Sequence, residues 1–143
     1  MKQFIQYRTR GWSSSLGVTS NHTESVTIDL GSANIVSKVD LYPRNDSGQW
    51  GSFFPINFTI QVSTSGTTWS TVATQTNYPK PTSGGVQSFN ISPVNARYVK
   101  VEGTNLRLET GTEYMMQFAE LEIYKLTKAI IPSGIIAFVR IED

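Results

Sequence analysis

Cysteine is absent from the 143-residue chain, and histidine occurs once. The first absence excludes disulfides, zinc–thiolate sites and thiol catalysis, and it leaves the redox compartment open. The second excludes a three-histidine metal centre and an active site built on several imidazoles. Charge is also scarce. Asp, Glu, Lys and Arg make up 16% of the residues, against about 25% in a typical soluble protein. Twelve basic residues stand against eleven acidic ones, a net charge of +1. The basic excess that marks a nucleic-acid binder is missing, so nucleic acid is not an expected partner. No apolar run reaches the roughly 18 residues that a membrane-spanning helix needs, and Met1–Gln6 lacks the long apolar core of a signal peptide. An exported protein would therefore carry this chain as a piece of something larger.

Good helix formers never gather into a long amphipathic run. Ser and Thr are abundant instead, set among Val, Ile, Tyr and Phe, with eleven Gly and six Pro to supply turns. Alternation of apolar and polar residues recurs along the chain. Val26, Ile28 and Leu30 share one face of a strand that stops at Gly31-Ser32. Ile35 to Tyr42 reads as a second strand, with Val39 and Leu41 inward and Pro43 at its end. Phe58, Ile60 and Val62 form the core face of Asn57–Ser63. Thr64–Thr67 is a turn, and Trp69 to Val72 begins the next strand. Val86 to Ile91 follows. In Val94 to Glu102, Ala96, Tyr98 and Lys100 face one way while Val99 and Val101 face the other. Phe118–Tyr124 is the last strong strand. Several short strands separated by Gly, Pro, Asn and Ser clusters predict an all-β sandwich or barrel.

Two long loops interrupt this pattern, Arg44–Pro55 and Gly103–Tyr114. Long irregular loops in a compact domain are commonly functional. The first mixes aromatics with Arg, Asn and Asp, a composition suited to binding.

The chain carries Gly11-Trp12-Ser13-Ser14, then Ser25–Gly31, Val39–Arg44, Phe54–Ser63, Gly66–Trp69, Ala96–Val101 and Gln117–Tyr124. In this order the seven pieces resemble the discoidin domain, also called the coagulation factor 5/8 type C domain, and within it the bacterial family 32 carbohydrate-binding modules. The resemblance covers roughly residues 7 to 125. It implies an antiparallel β-sandwich jelly roll, galactose-binding-domain-like, that holds a ligand through loops at one end of its sheets. It departs from the family in two ways. The segment before the Trp, which in the family often supplies ligands to a structural calcium, reads Gln6-Tyr7-Arg8-Thr9-Arg10-Gly11, with no carboxylate. Glu120 matches a family position that can ligate calcium, so calcium is a candidate but not a required cofactor. The absence of Cys separates the chain from the disulfide-bearing, membrane-binding branch.

A sugar offers hydroxyls along its edge and C–H groups on its face. It therefore calls for aromatic rings together with Arg, Asn, Asp or His. Arg44 and Asn45 stand where strand becomes loop. The resemblance implies an Arg and an Asn from this loop and a His from an earlier one, the place of His22. Trp50, flanked by Gly48 and Gly51, is the stacking candidate, with Phe53 second. The plainer readings differ. His22 is then a solvated loop residue, and Arg44 pairs with Asp40, Asp46 or a carbonyl. Trp12 and Trp69 match core positions, Phe54 plugs the sandwich end, and Tyr114 with Met115 and Met116 starts a strand. Asn21, Asn45, Asn57 and Asn90 begin Asn-x-Ser/Thr triplets, which a chain rich in Ser and Thr produces by chance.

No nucleophile elbow, phosphate loop or His-rich metal motif occurs, so an enzyme is not expected. The expected function is a non-catalytic carbohydrate-binding module that tethers a larger extracellular protein to glycans, a galactose-type sugar among them. Residues 1–125 form the domain in this reading, and residues 126–143 an apolar extension. That extension, with Ala129–Arg140 at its centre, is too apolar to hang alone in water. It is an added strand, a contact between identical subunits, or the start of a following domain. It opens the second reading, a structural or adhesion module of a multimeric fibre such as a phage-tail receptor-binding protein, on a virion rather than a cell surface. A third reading inserts Trp50, Phe53 and Phe54 into lipid, and the small net charge weighs against it.

Overall fold

A computed structural model describes residues 2–6, 11–109, 111–130 and 136–140, and all regular structure among them is strand. The fold is built around two strands of 19 residues each, β3 (Glu24–Tyr42) and β6 (Gln87–Asn105), which pair antiparallel. Their ladder has two stretches. Glu24–Asp29 lies against Gly103–Tyr98, and Asn34–Leu41 against Ala96–Gln87, with shifts of register between them. The ribbon bends at those shifts, and each half joins a different layer. β4 (Asn57–Ser63) pairs with the Asn105–Tyr98 half, and β5 (Ser70–Gln75) lies outside β4. β10 (Glu120–Ile130) pairs with the Tyr42–Ile35 half, and β1 (Lys2–Gln6) lies outside β10. Three short pieces belong to the loops: β2 (Trp12–Ser13) with β9 (Gln117–Phe118), and β7 (Arg107–Leu108) with β8 (Tyr114–Met115).

Alternation explains the core, because successive side chains of a strand point to opposite faces. Val26, Ile28, Leu30, Phe58, Ile60, Val62, Val99 and Val101 face inward from one layer. Val36, Val39, Leu41, Phe89, Ile91, Leu121 and Ile123 face them from the other, and all join a single cluster. Phe58 and Phe89 meet edge to face across the layers at 5.5 Å. The expected antiparallel sandwich is what the chain forms.

The bend changes three details of the sequence reading. Val26–Leu30 and Ile35–Tyr42 are halves of β3 rather than two strands, and Val86–Ile91 and Val94–Glu102 lie almost wholly within β6. Ala96 does not share an outward face with Tyr98 and Lys100. It is fully buried with Val99 and Val101, since the register shift at the corner breaks the alternation. Trp69 is half-buried outside the core cluster, with the Lys100 ammonium 4.5 Å above its ring.

Because β3 doubles back, its first and last residues lie at the same end of the sandwich. Segments 11–23, 43–56, 76–86 and 106–119 therefore gather at that end. The turn at Gly31 and the continuation of β10 lie at the other. β10 runs across the boundary expected at residue 125, and β11 (Ile136–Arg140) pairs back on it from Leu126↔Arg140 to Ile130↔Ile136.

Phe54 closes the loop end as the sequence suggested. Its side chain is wholly buried, edge to face on Phe58 at 5.8 Å and on Phe118 at 5.4 Å, and stacked on Tyr78 at 5.5 Å. Trp12 continues the column by stacking on Phe118. Phe54→Ala should cost about 3–5 kcal/mol through lost transfer energy and the cavity left behind. Urea denaturation checks this, and a loss below about 1 kcal/mol would contradict the assignment of Phe54 as the plug.

Candidate functional site

The loop Pro43–Ile56 is a chain of tight turns. Backbone bonds run from Gln49 N to Asp46 O (2.8 Å), Gly51 N to Arg44 O (3.0 Å), Ser52 N to Gln49 O (3.2 Å) and Phe54 N to Gly51 O (3.1 Å). Such turns need left-handed backbone, and Ser47, Gly48, Gly51 and Phe53 all have positive φ. At Gly51 no other residue fits, because a Cβ there would stand 2.3 Å from the Pro81 carbonyl oxygen. Phe53 adopts φ of 61° despite its bulk, a strain of about 1–3 kcal/mol that concentrates at functional positions. The consequence is directional. Phe54 enters the core while Phe53 lines a surface cavity.

That cavity has a volume of about 280 Å³, near the lower bound of about 300 Å³ for ligand sites. Phe53, Leu16 and Met115 supply apolar lining, and Arg44, Gln117 and Glu113 polar lining. The lining comes from separate parts of the chain. Gln117 is buried and fixed by the β2–β9 pairing, and its backbone N–H bonds to the Phe53 carbonyl at 3.1 Å. Met115 belongs to the β7–β8 pair, which gives the second long loop a hairpin the sequence reading did not foresee. Arg107 braces both loops, donating from Nε to the Phe54 carbonyl (3.1 Å) and from Nη2 to the Tyr78 carbonyl (2.9 Å).

Of the five residues expected to hold a ligand, the structure brings Arg44 and Phe53 together in this cavity. Arg44 takes the ion pair foreseen for it. Its Nε and Nη2 donate to the two Asp46 oxygens at 2.6 and 3.0 Å, and that pairing raises the guanidinium pKa further. A guanidinium carries five N–H donors, so three remain after this fork. The other three residues are not among the lining residues of this cavity. Asn45 is exposed and packs beside Gly84, where a Cβ would come within 2.7 Å of the Asn45 Cβ. Trp50 is 44% exposed at the head of the loop. Lying three residues from Phe53, it stands at most about 11 Å away along the chain.

His22 is engaged on both nitrogens, Nδ1 with the Ser20 carbonyl at 2.9 Å and Nε2 with Glu24 at 2.8 Å. Both partners are acceptors, so only the doubly protonated ring satisfies both. The Ser20 carbonyl, and after it Glu24, raise the His22 pKa above 6.5. A raised pKa means that the contribution to stability is present below pH 6.5 and lost as pH rises through the folded value. As the only histidine, His22 gives a single set of imidazole resonances for NMR titration. Its midpoint should lie above 6.5 and fall in Glu24→Gln. A midpoint at or below 6.5 would contradict the geometry.

Glu120, the candidate calcium ligand, begins β10 opposite Tyr42. Among the described residues, no three His, Cys, Asp or Glu side chains converge as a metal site. The segment expected to complete such a site, Tyr7–Arg10, lies outside the described residues.

Sequence reasoning missed Glu113, Gln117 and Leu16 as lining residues. Gln117 was visible only as part of a strand. Glu113 sat unremarked in the second long loop, and Leu16 follows the tryptophan segment with no pattern to mark it.

A family model described as the F5/8 type C domain matches residues 5–121. No curated protein sequence matches the chain. Solved structures do. One is chitosan-binding module 1 derived from a chitosanase/glucanase of Paenibacillus sp. IK-5, 26% identical, with a TM-score of 0.61 over 87% of this chain and 93% of that one. Another is CBM32-3 from a family 31 glycoside hydrolase of Clostridium perfringens, 22% identical, with a TM-score of 0.66 over 80% and 74%. A third is a Clostridium perfringens CBM32 module in complex with GalNAc-β-1,3-galactose, 20% identical, with a TM-score of 0.59 over 78% and 73%.

Proposed function

Since the chain belongs to the F5/8 type C domain family through residues 5–121, we propose that it is a non-catalytic carbohydrate-binding module that attaches a larger extracellular protein to glycans. One observation carries this reading. Phe53, Arg44 and Gln117 line one cavity of about 280 Å³ at the loop end. The ring suits the C–H face of a sugar, and the two polar groups suit its hydroxyls. One structurally similar module is named as chitosan-binding and another is in complex with GalNAc-β-1,3-galactose, which supports a glycan over other ligands. A galactose-type sugar remains the first candidate. Trp50 extends the surface as a second ring, and Asn45 and His22 lie in loops of the same end.

The reading is non-catalytic because hydrolysis of a glycosidic bond requires two carboxyl groups, about 5–10 Å apart, across the substrate. Glu113 is the one carboxylate among the described lining residues. A single shallow site binds weakly, so repeated copies on the parent protein would supply avidity.

A glycan array run with and without calcium chelation tests the proposal. Arg44→Ala, Phe53→Ala and Trp50→Ala should each weaken binding at least about tenfold, the loss of a good aromatic or charged contact, with thermal unfolding little changed. Binding that survives all three substitutions would overturn this placement of the site.

The fibre reading has its own observation. β10 pairs with β3 as far as Leu126, while its pairing with β11 continues to Ile130, at the end opposite the loops. A contact between subunits there would leave the loop end free for glycan. Light scattering should then show a dimer or trimer that deletion of residues 129–143 converts to monomer. A monomer at all concentrations would remove this second reading.

A further inference from the structure

The polar side of the cavity contains one cation and one anion among the described lining residues, Arg44 and Glu113, and they are not equivalent. Arg44 spends its bidentate fork on Asp46, at 2.6 and 3.0 Å. That pairing balances the Arg44 charge, and its remaining N–H groups stay open as donors. Glu113 is half-buried in the same lining and, among the described residues, forms no ion pair or hydrogen bond. The unmatched charge that the described wall presents to a ligand is therefore negative. Phe53, Leu16 and Met115 in the same lining provide an apolar seat for a ring.

From this arrangement we infer that Glu113 makes the pocket select a sugar carrying a free ammonium group, a 2-amino-2-deoxyhexose, over its N-acetylated and acidic counterparts. The inference rests on the glycan-binding reading above and narrows it. A carboxylate and an ammonium form a charge-assisted hydrogen bond, roughly twice as strong as one between neutral groups. N-acetylation removes the cation and leaves Glu113 facing a neutral amide. A uronic acid sets its carboxylate against Glu113, while Asp46 already balances the Arg44 charge. Ligands are discriminated by the difference of these terms, so Glu113 governs specificity more than total affinity.

Titration calorimetry at pH 6 tests this with three probes: the β-1,4-linked glucosamine trimer, its fully N-acetylated form, and a trimer of galacturonic acid. The intact domain should bind the amine form about tenfold more tightly than the acetylated form, the step that one charge-assisted hydrogen bond carries, and the acidic trimer most weakly. Glu113→Gln should erase the difference between amine and acetamide, with the melting temperature unchanged. Glu102→Gln removes a charge from the sheet face, where Glu102 contacts Lys100 and Gln61, and should leave the difference intact. Equal affinities in the intact domain, or a difference that persists in Glu113→Gln, overturns the inference and leaves the glycan-binding reading standing. Calorimetric silence with all three probes, coupled with a blank glycan array, overturns both.

Discussion

The binding end of this molecule depends on the burial of Phe54. Its ring meets Phe58 of β4, Tyr78 of the 76–86 segment and Phe118 of β9, and its carbonyl holds Arg107 of the second long loop. One residue thus ties its own loop to three segments distant in sequence, at Tyr78, Arg107 and Phe118. Fixing a residue of loop costs roughly 1–2 kcal/mol in backbone entropy. A loop already held by a buried plug meets that cost in folding rather than in binding. The left-handed φ at Phe53 lies directly beside that anchor.

Most of the sandwich was legible because burial has a period of two. Phe58, Ile60 and Val62 alternate with polar residues and are buried; so are Val26, Ile28 and Leu30. What alternation could not show was continuity. Gly31-Ser32 looks like a strand end, and the Gly31 N–H is indeed capped by Asp29 Oδ1 at 2.8 Å. Yet the ladder resumes at Asn34 against Ala96. Whether a turn signal ends a strand or bends it depends on the partner strand, about 60 residues away, and nothing local encodes that. The burial of Ala96 has the same cause.

The site was legible in part for a related reason. Arg44 and Phe53 lie in one loop between two plain strands, so composition alone marked them. Glu113, Gln117 and Leu16 reach the cavity from other segments, placed there partly by two-residue ladders too short to leave a periodic trace. His22 shows the limit of reading single residues. Its partners, Ser20 and Glu24, each lie only two positions away, but loop geometry decides whether an imidazole turns toward its neighbours or toward a ligand. Arg44 has likewise both a partner and spare donors, and sequence alone allows either role.

The central claim is that glycan is held where Arg44, Phe53, Glu113 and Gln117 surround one cavity at the loop end. Amide shift mapping of the isotopically labelled domain, titrated with an oligosaccharide that it binds, tests this most directly. The account predicts that the largest shifts fall on residues 44–54 and 113–117. Shifts centred on the Gly31–Asn34 turn, or on the outer faces of the sheets, would contradict it.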